Sequence, residues 1–191
     1  MVASFQPPPN MTAEVYLDWE THQESRHEYV GGTVVAMTGG TIPHNDIALN
    51  FYTSLRSHLR TKGCRINVAD VKVQISTQGP YYYPDVVISC APTDLEARQF
   101  IQLPILIAEV LSPGTEANDR GKKFRNYQTL SSLQEYLLID SEKMAVECYR
   151  RGEGRMWLYY PYGSGDIIRL DSLGFDCPVD VLYEGVQFES N

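Results

Sequence analysis

One stretch constrains this chain more than any other. Pro104-Ile105-Leu106-Ile107-Ala108-Glu109-Val110-Leu111 is an apolar run broken by a single carboxylate. A half-solvated strand would alternate apolar and polar residues, whereas a strand covered on both faces reads as a continuous apolar run. Ser112-Pro113-Gly114 ends the run. The reading is therefore a central strand of a sheet with helices on it. Glu109 does not belong in such a strand on packing grounds. An ionised carboxylate there costs several kcal/mol unless a cation or a metal compensates it. Either Glu109 reaches solvent or a structural Arg at the strand end, or it is kept for chemistry.

A second acid stands in a similar place. In Tyr81-Tyr82-Tyr83-Pro84-Asp85-Val86-Val87-Ile88, Asp85 opens another apolar strand. If the two strands are neighbours, both carboxylates converge at one edge of the sheet. Two bare carboxylates that close repel, and one takes up a proton unless a divalent cation intervenes. Ligands made only of oxygen suit Mg²⁺ or Mn²⁺ and not Zn²⁺. Taken alone, Asp85 reads equally as a strand-start acid.

The flanking pattern supplies the helices. Ala48, Phe51, Tyr52, Leu55 and Leu59 recur with a 3.6-residue period, predicting a helix over 45–62 that Gly63 stops. A shorter helix over 12–23 starts at Thr12, and a third over 117–130 follows the Glu109 strand. Asp119, Lys123 and Tyr127 share one face of that third helix. Lys123 beside a metal-bound water would stabilise negative charge or help deprotonate the water, or else simply pair with Asp119 at the surface. Residues 27–37 read as a hairpin around Gly31-Gly32, and 66–75 as one alternating strand. Residues 92–102 read as a polar connector, 135–140, 145–150 and 155–160 as further strands, 167–170 as a last short one, and 179–183 as a helical turn. Trp157, Tyr159 and Tyr160 read as core and edge packing. The expected architecture is mixed α/β, a mixed central sheet flanked by helices. Residues 1–11 form a Pro-rich tail and 12–191 a single domain, as the length of 191 residues suggests.

Composition bounds the partners. A formal net charge of −8 argues against nonspecific coating of nucleic acid, although 51–65 carries +4 and 119–126 carries +3. No apolar run approaches the ~18 to 20 residues that span a bilayer, and the N-terminus lacks the features of a secretory signal. Cys64, Cys90, Cys148 and Cys177 are widely spaced without a CxxC motif, and read as free thiols of a cytoplasmic protein.

Pro84-Asp85 followed by Glu109 resembles the PD-(D/E)XK nuclease signature. The longer string is more specific. Glu109-Val110-Leu111-Ser112-Pro113, then Thr115, Asp119-Arg120, Lys123, Tyr127 and Glu135-Tyr136, resembles the Uma2 family of bacterial restriction-endonuclease-like proteins. Glu28, Met37 and His44 extend the match, which spans residues 12 to 185. The resemblance implies a restriction-endonuclease-like core and a Mg²⁺- or Mn²⁺-dependent deoxyribonuclease. Its metal would be held by Asp85, Glu109 and the Val110 carbonyl, with Lys123 as a further catalytic group. One departure stands out: the superfamily's lysine two residues after the second acid is Leu111 here, and Lys123 is its substitute. Glu28 is either a further acid at the metal or a hairpin surface acid. His44 and Tyr127 are placed as phosphate or site-wall contacts, His44 otherwise capping its helix. A homodimer using 145–160 is expected, because cutting both strands of DNA takes two sites. The rival reading is a catalytically silent domain of the same fold that binds nucleic acid or protein.

Overall fold

The computed structural model describes residues 10–188. The chain runs α1 (Ala13–Glu20), β1 (His27–Val30), β2 (Thr33–Ala36), α2 (Ile42–Thr61), β3 (Arg65–Val68), β4 (Lys72–Gln74), β5 (Tyr81–Tyr82), β6 (Val86–Ser89), α3 (Pro92–Glu96), β7 (Phe100–Ile101) and β8 (Leu106–Leu111). It continues with α4 (Glu116–Asn118), a π-helical turn (Asp119–Lys123), α5 (Phe124–Tyr127), β9 (Glu135–Asp140), β10 (Ala145–Arg151), β11 (Trp157–Gly163), β12 (Ile167–Leu170), β13 (Phe175–Pro178) and α6 (Val179–Leu182). No helix among the described residues is long and apolar enough to cross a membrane.

The apolar run forms β8, all six residues of which are buried. It lies inside a six-stranded sheet of order β11-β10-β9-β8-β6-β3. β8 pairs parallel with β9 and antiparallel with β6, so the sheet is mixed. Side chains alternate across β8. Leu106, Ala108 and Val110 face α2, packing with Ile47, Phe51, Leu55 and Leu59. Ile107 and Leu111 face the other way, with Tyr127, Leu130, Tyr136 and Leu138. Glu109 has the parity of Ile107 and Leu111, and so lies on the side of α5. Phe51, Leu55 and Leu59 are fully buried, and truncating one of them would cost about 2 to 5 kcal/mol.

A second sheet of order β2-β1-β5-β4-β7 stands beside the first. Tyr16 of α1, Tyr29 and Tyr81 knit it together, and Met11 is buried with them. The Pro-rich segment assigned to the tail lies outside the described residues as far as Pro9. β12 and β13 form a separate hairpin.

Four expectations are corrected. Residues 66–75 are two strands in different sheets. The chain leaves β3, passes Ala69 (φ 45°) and Asp70 (φ 36°), and re-enters as β4 in the second sheet. The apolar parity slips there, from Ile66 and Val68 to Val71, Val73 and Ile75, and the single-strand reading passed over that slip. The connector over 92–102 holds α3 and β7, and β13 follows a turn that had no strand reading. The helix after β8 is not a regular α-helix, since its middle is a π-turn. Lastly, Cys64 and Cys90 form a disulfide, while Cys148 and Cys177 are buried free thiols. The pairing Arg65↔Ser89 sets Cys64 directly across from Cys90 at the end of the β3–β6 ladder, with Cα atoms 4.2 Å apart. Spacing of 26 residues in sequence says nothing of that register. The disulfide removes the free-thiol argument for a reducing compartment.

Candidate active site

Register brings the two acids together. Val86 pairs with Ala108 in the β6–β8 ladder, and one step further sets Asp85 beside Glu109. The Asp85 N–H donates to Glu109 Oε2 at 3.4 Å, and Asp85 Oδ2 accepts from the Val110 N–H at 2.7 Å. In a strand the N–H and C=O of one residue point to the same side. The Val110 carbonyl therefore faces the Asp85 side too. His44, in the first turn of α2, places Nε2 3.3 Å from Asp85 Oδ2. Thr41 caps that turn and Pro43 occupies it, which fixes where the His44 ring leaves the helix.

The π-turn and α5 close the other side. Lys123 Nζ lies 3.0 Å from Glu28 Oε1, 3.3 Å from Glu109 Oε1 and 3.3 Å from Asp119 Oδ1. Tyr127 donates its hydroxyl to Glu109 Oε1 at 3.1 Å. Glu28 comes from β1 and also accepts from the Tyr83 N–H at 3.3 Å. Asp119 was named on the shared helix face but was not placed in the site. It is buried there at 2% exposure, and its Oδ1 has no hydrogen bond. The Lys123 ammonium offsets its charge without completing a hydrogen bond. The signal that could have found it is the spacing Asp119, Lys123, Tyr127. π-turns are rare and concentrate at functional positions, where the widened backbone re-aims side chains.

Three carboxylates, Glu28, Glu109 and Asp119, thus surround one ammonium, with Asp85 on the far side of Glu109. Burial pushes the Glu109 carboxyl well above the usual carboxylate range, with Lys123 opposing and Asp119, Asp85 and Glu28 reinforcing. Burial works against the charge on Lys123, but Glu109, Glu28 and Asp119 outweigh it and hold the ammonium well above its ordinary value. Burial likewise opposes charge on His44, yet Asp85 and the Val110 backbone leave it raised. Tyr127 is raised chiefly by burial, so its phenol stays a donor.

Among the described residues, no three His, Cys, Asp or Glu side chains surround an open point. The oxygen set available to a hard cation is Asp85, Glu109 and the Val110 carbonyl. Mg²⁺ is commonly held by one or two carboxylates and keeps several waters, so this donor set fits it. The buried, under-compensated charge on Glu109 points the same way.

A mixed sheet with paired acids on neighbouring strands, and a lysine reaching in from the next helix, defines a fold of the restriction-endonuclease class. The chain belongs to the Uma2 family, described as "Putative restriction endonuclease", whose model matches residues 13–180. It is 41% identical over 182 residues to the uncharacterized protein slr1290 of Synechocystis, covering 95% of this chain and 96% of that one. A second uncharacterized Synechocystis protein, sll1609, is 35% identical over 150 residues, covering 78% of this chain and 85% of the relative. The fold is shared with the crystal structure of a "putative nuclease belonging to DUF820" from Anabaena variabilis. That match has a TM-score of 0.76 and 15% identity, and covers 93% of this chain and 99% of the other.

Proposed function

We propose that this chain is a Mg²⁺- or Mn²⁺-dependent endonuclease that hydrolyses DNA phosphodiester bonds. The observation that carries the reading is the register-enforced adjacency of Asp85 and Glu109 with Lys123 3.3 Å from Glu109. Asp85, Glu109 and the Val110 carbonyl would hold the ion. When bound, it would neutralise phosphate charge and lower the pKa of a water. The remaining work falls to the protein. Tyr127 and the Asp85 N–H fix both oxygens of Glu109, so the carboxylate is preorganised. Lys123, held by Glu28 and Asp119, presents a fixed positive charge toward the transferring phosphate. His44, paired with Asp85, sits at the mouth and would donate to a non-bridging phosphate oxygen. Water oxygen bonds to phosphorus as it gives up a proton, the ester P–O bond breaks, and the leaving oxygen takes up a proton, so that one water is consumed in all.

The test is nicking of supercoiled plasmid with Mg²⁺ or Mn²⁺. Glu109→Ala should abolish cleavage while the far-UV circular dichroism stays native. Lys123→Ala should slow cleavage and leave metal binding in place. Absence of cleavage by the wild type on single-stranded, double-stranded and branched DNA with either ion would replace the enzyme reading with that of a binding domain of the same fold.

A further inference from the structure

Three carboxylates from three separate elements meet at one point, and that point is filled by the chain's own ammonium. Glu28 comes from β1, Glu109 from β8 and Asp119 from the π-turn, all within 3.0 to 3.3 Å of Lys123 Nζ. The lysine is 7% exposed, so water does little of the solvation. Asp119 Oδ1 is buried, points at the ammonium and has no hydrogen-bond partner. Glu109 divides its two oxygens. Oε1 faces Lys123, and Oε2 faces the Asp85 backbone on the side of the proposed metal. A carboxylate shared in this way is what bridges two cations in a two-ion hydrolytic site, where the ions stand ~3.5 to 4 Å apart. Here one of the two positions already carries a covalently tethered cation.

We propose that Lys123 is a built-in second cation. Its ammonium occupies a Glu28–Glu109–Asp119 cage that would otherwise take a second divalent ion, so the site binds one ion only, and Asp119 is the positioning residue that keeps the ammonium there. This rests on the proposed metal reading of Asp85 and Glu109. Three considerations favour the cage over an ordinary surface salt bridge. The oxygens are all hard donors, the chemistry that Mg²⁺ and Mn²⁺ select. A lone lysine–acid pair would need one carboxylate, whereas this ammonium has three. Contraction of the cage by about 1 Å would bring the N···O distances to the ~2.1 Å of metal–oxygen bonds. A tethered ammonium also explains why a lysine two residues after Glu109 is dispensable, with Leu111 in its place. The positive charge arrives from the following helix and is locked by acids instead of hanging from the strand.

The experiment counts ions with Mn²⁺ alone and no DNA. Isothermal titration gives the stoichiometry, and electron paramagnetic resonance separates an isolated Mn²⁺ from a spin-coupled pair. Wild type should bind one Mn²⁺ with an uncoupled spectrum. Lys123→Ala should bind two and show spin coupling, and adding Asp119→Asn to that variant should return the count to one. Lys123→Met, which keeps the bulk of the stem, carries the test if the alanine variant does not fold. A second ion in the wild type, or a single ion in both folded lysine variants, would overturn the proposal while leaving the metal reading intact. No Mn²⁺ bound to the wild type would overturn both.

Discussion

Lys123→Ala is the substitution whose stability cost follows most directly from the geometry. It removes the ammonium from a site where Glu109 and Asp119 are each 2% exposed and Glu28 is only slightly more open. Removing one partner of a buried ion pair typically costs about 3 to 5 kcal/mol, because the remaining charge is left uncompensated. Three carboxylates lose their cation here, so the upper half of that range is expected at pH 7. For a chain of this length, 1 kcal/mol corresponds to about 2 to 4 °C in melting temperature, giving a drop of roughly 8 to 20 °C. The penalty should depend on pH in a defined direction. Without the ammonium that opposes the effect of burial, Glu109 holds its proton still more tightly than in the unfolded chain. A group whose folded pKa is raised contributes stability at low pH and loses it as pH climbs from the unfolded to the folded value. The gap between variant and wild type should therefore narrow as pH falls toward the ordinary carboxylate range near 4.5. Glu109→Gln is the control. It relieves like-charge crowding and leaves Lys123 two acids, so its melting temperature should stay near wild type or rise. Thermal melts followed by circular dichroism at pH 5, 6, 7 and 8 measure all of this. A Lys123→Ala melt within 2 °C of wild type at pH 7, or a gap that widens toward acid, would refute the claim that the ammonium neutralises this cluster.

Further outcomes follow from the same structure. The metal-free wild type should lose stability as pH rises, since Glu109 and His44 both have raised pKa values. The His44 share should disappear above an unfolded value of 6.5, and Asp85→Asn should abolish that share in a melt-versus-pH series. Closing the 26-residue separation between Cys64 and Cys90 should stabilise the fold by up to about 3.5 kcal/mol through loop entropy. Denaturant melts with and without reductant, compared with a double serine variant, check it. The homodimer we propose would use edge strand β11, where Leu158 and Tyr159 are 45% and 53% exposed. Sedimentation should then show a dimer at micromolar concentration that Tyr159→Asp converts to monomer, and a wild-type monomer would rule this surface out.

Much of this protein can be read from local pattern. The unbroken apolar octet around Glu109 marks a strand covered on both faces, because only a fully buried strand dispenses with polar alternation. The 3.6-residue stripe of Ala48, Phe51, Leu55 and Leu59 marks the helix that covers one side. Asp85 and Glu109 stand out because carboxylates are costly in such strands. Lys123 and Tyr127 follow from helical spacing, even though the turn that leads into Lys123 is π. What the sequence could not hold is anything set by register and by the meeting of distant elements. The break between β3 and β4 is marked only by a one-residue slip of apolar parity at Ala69-Asp70, which does not say that the two halves enter different sheets. The Cys64–Cys90 pair depends on a ladder register that spacing does not encode. Glu28 could be a surface acid or a site acid on its sequence, and only the docking of β1 against the π-turn brings it 3.0 Å from Lys123. Asp119 belongs to the same class: one-dimensional spacing puts it on the right helix face, but three-dimensional packing buries it against an ammonium shared with acids from β1 and β8. Local periodicity determines which residues are buried. Which buried charges share one cation is decided by contacts between segments far apart in the chain, and those exist only once the sheets and helices have packed.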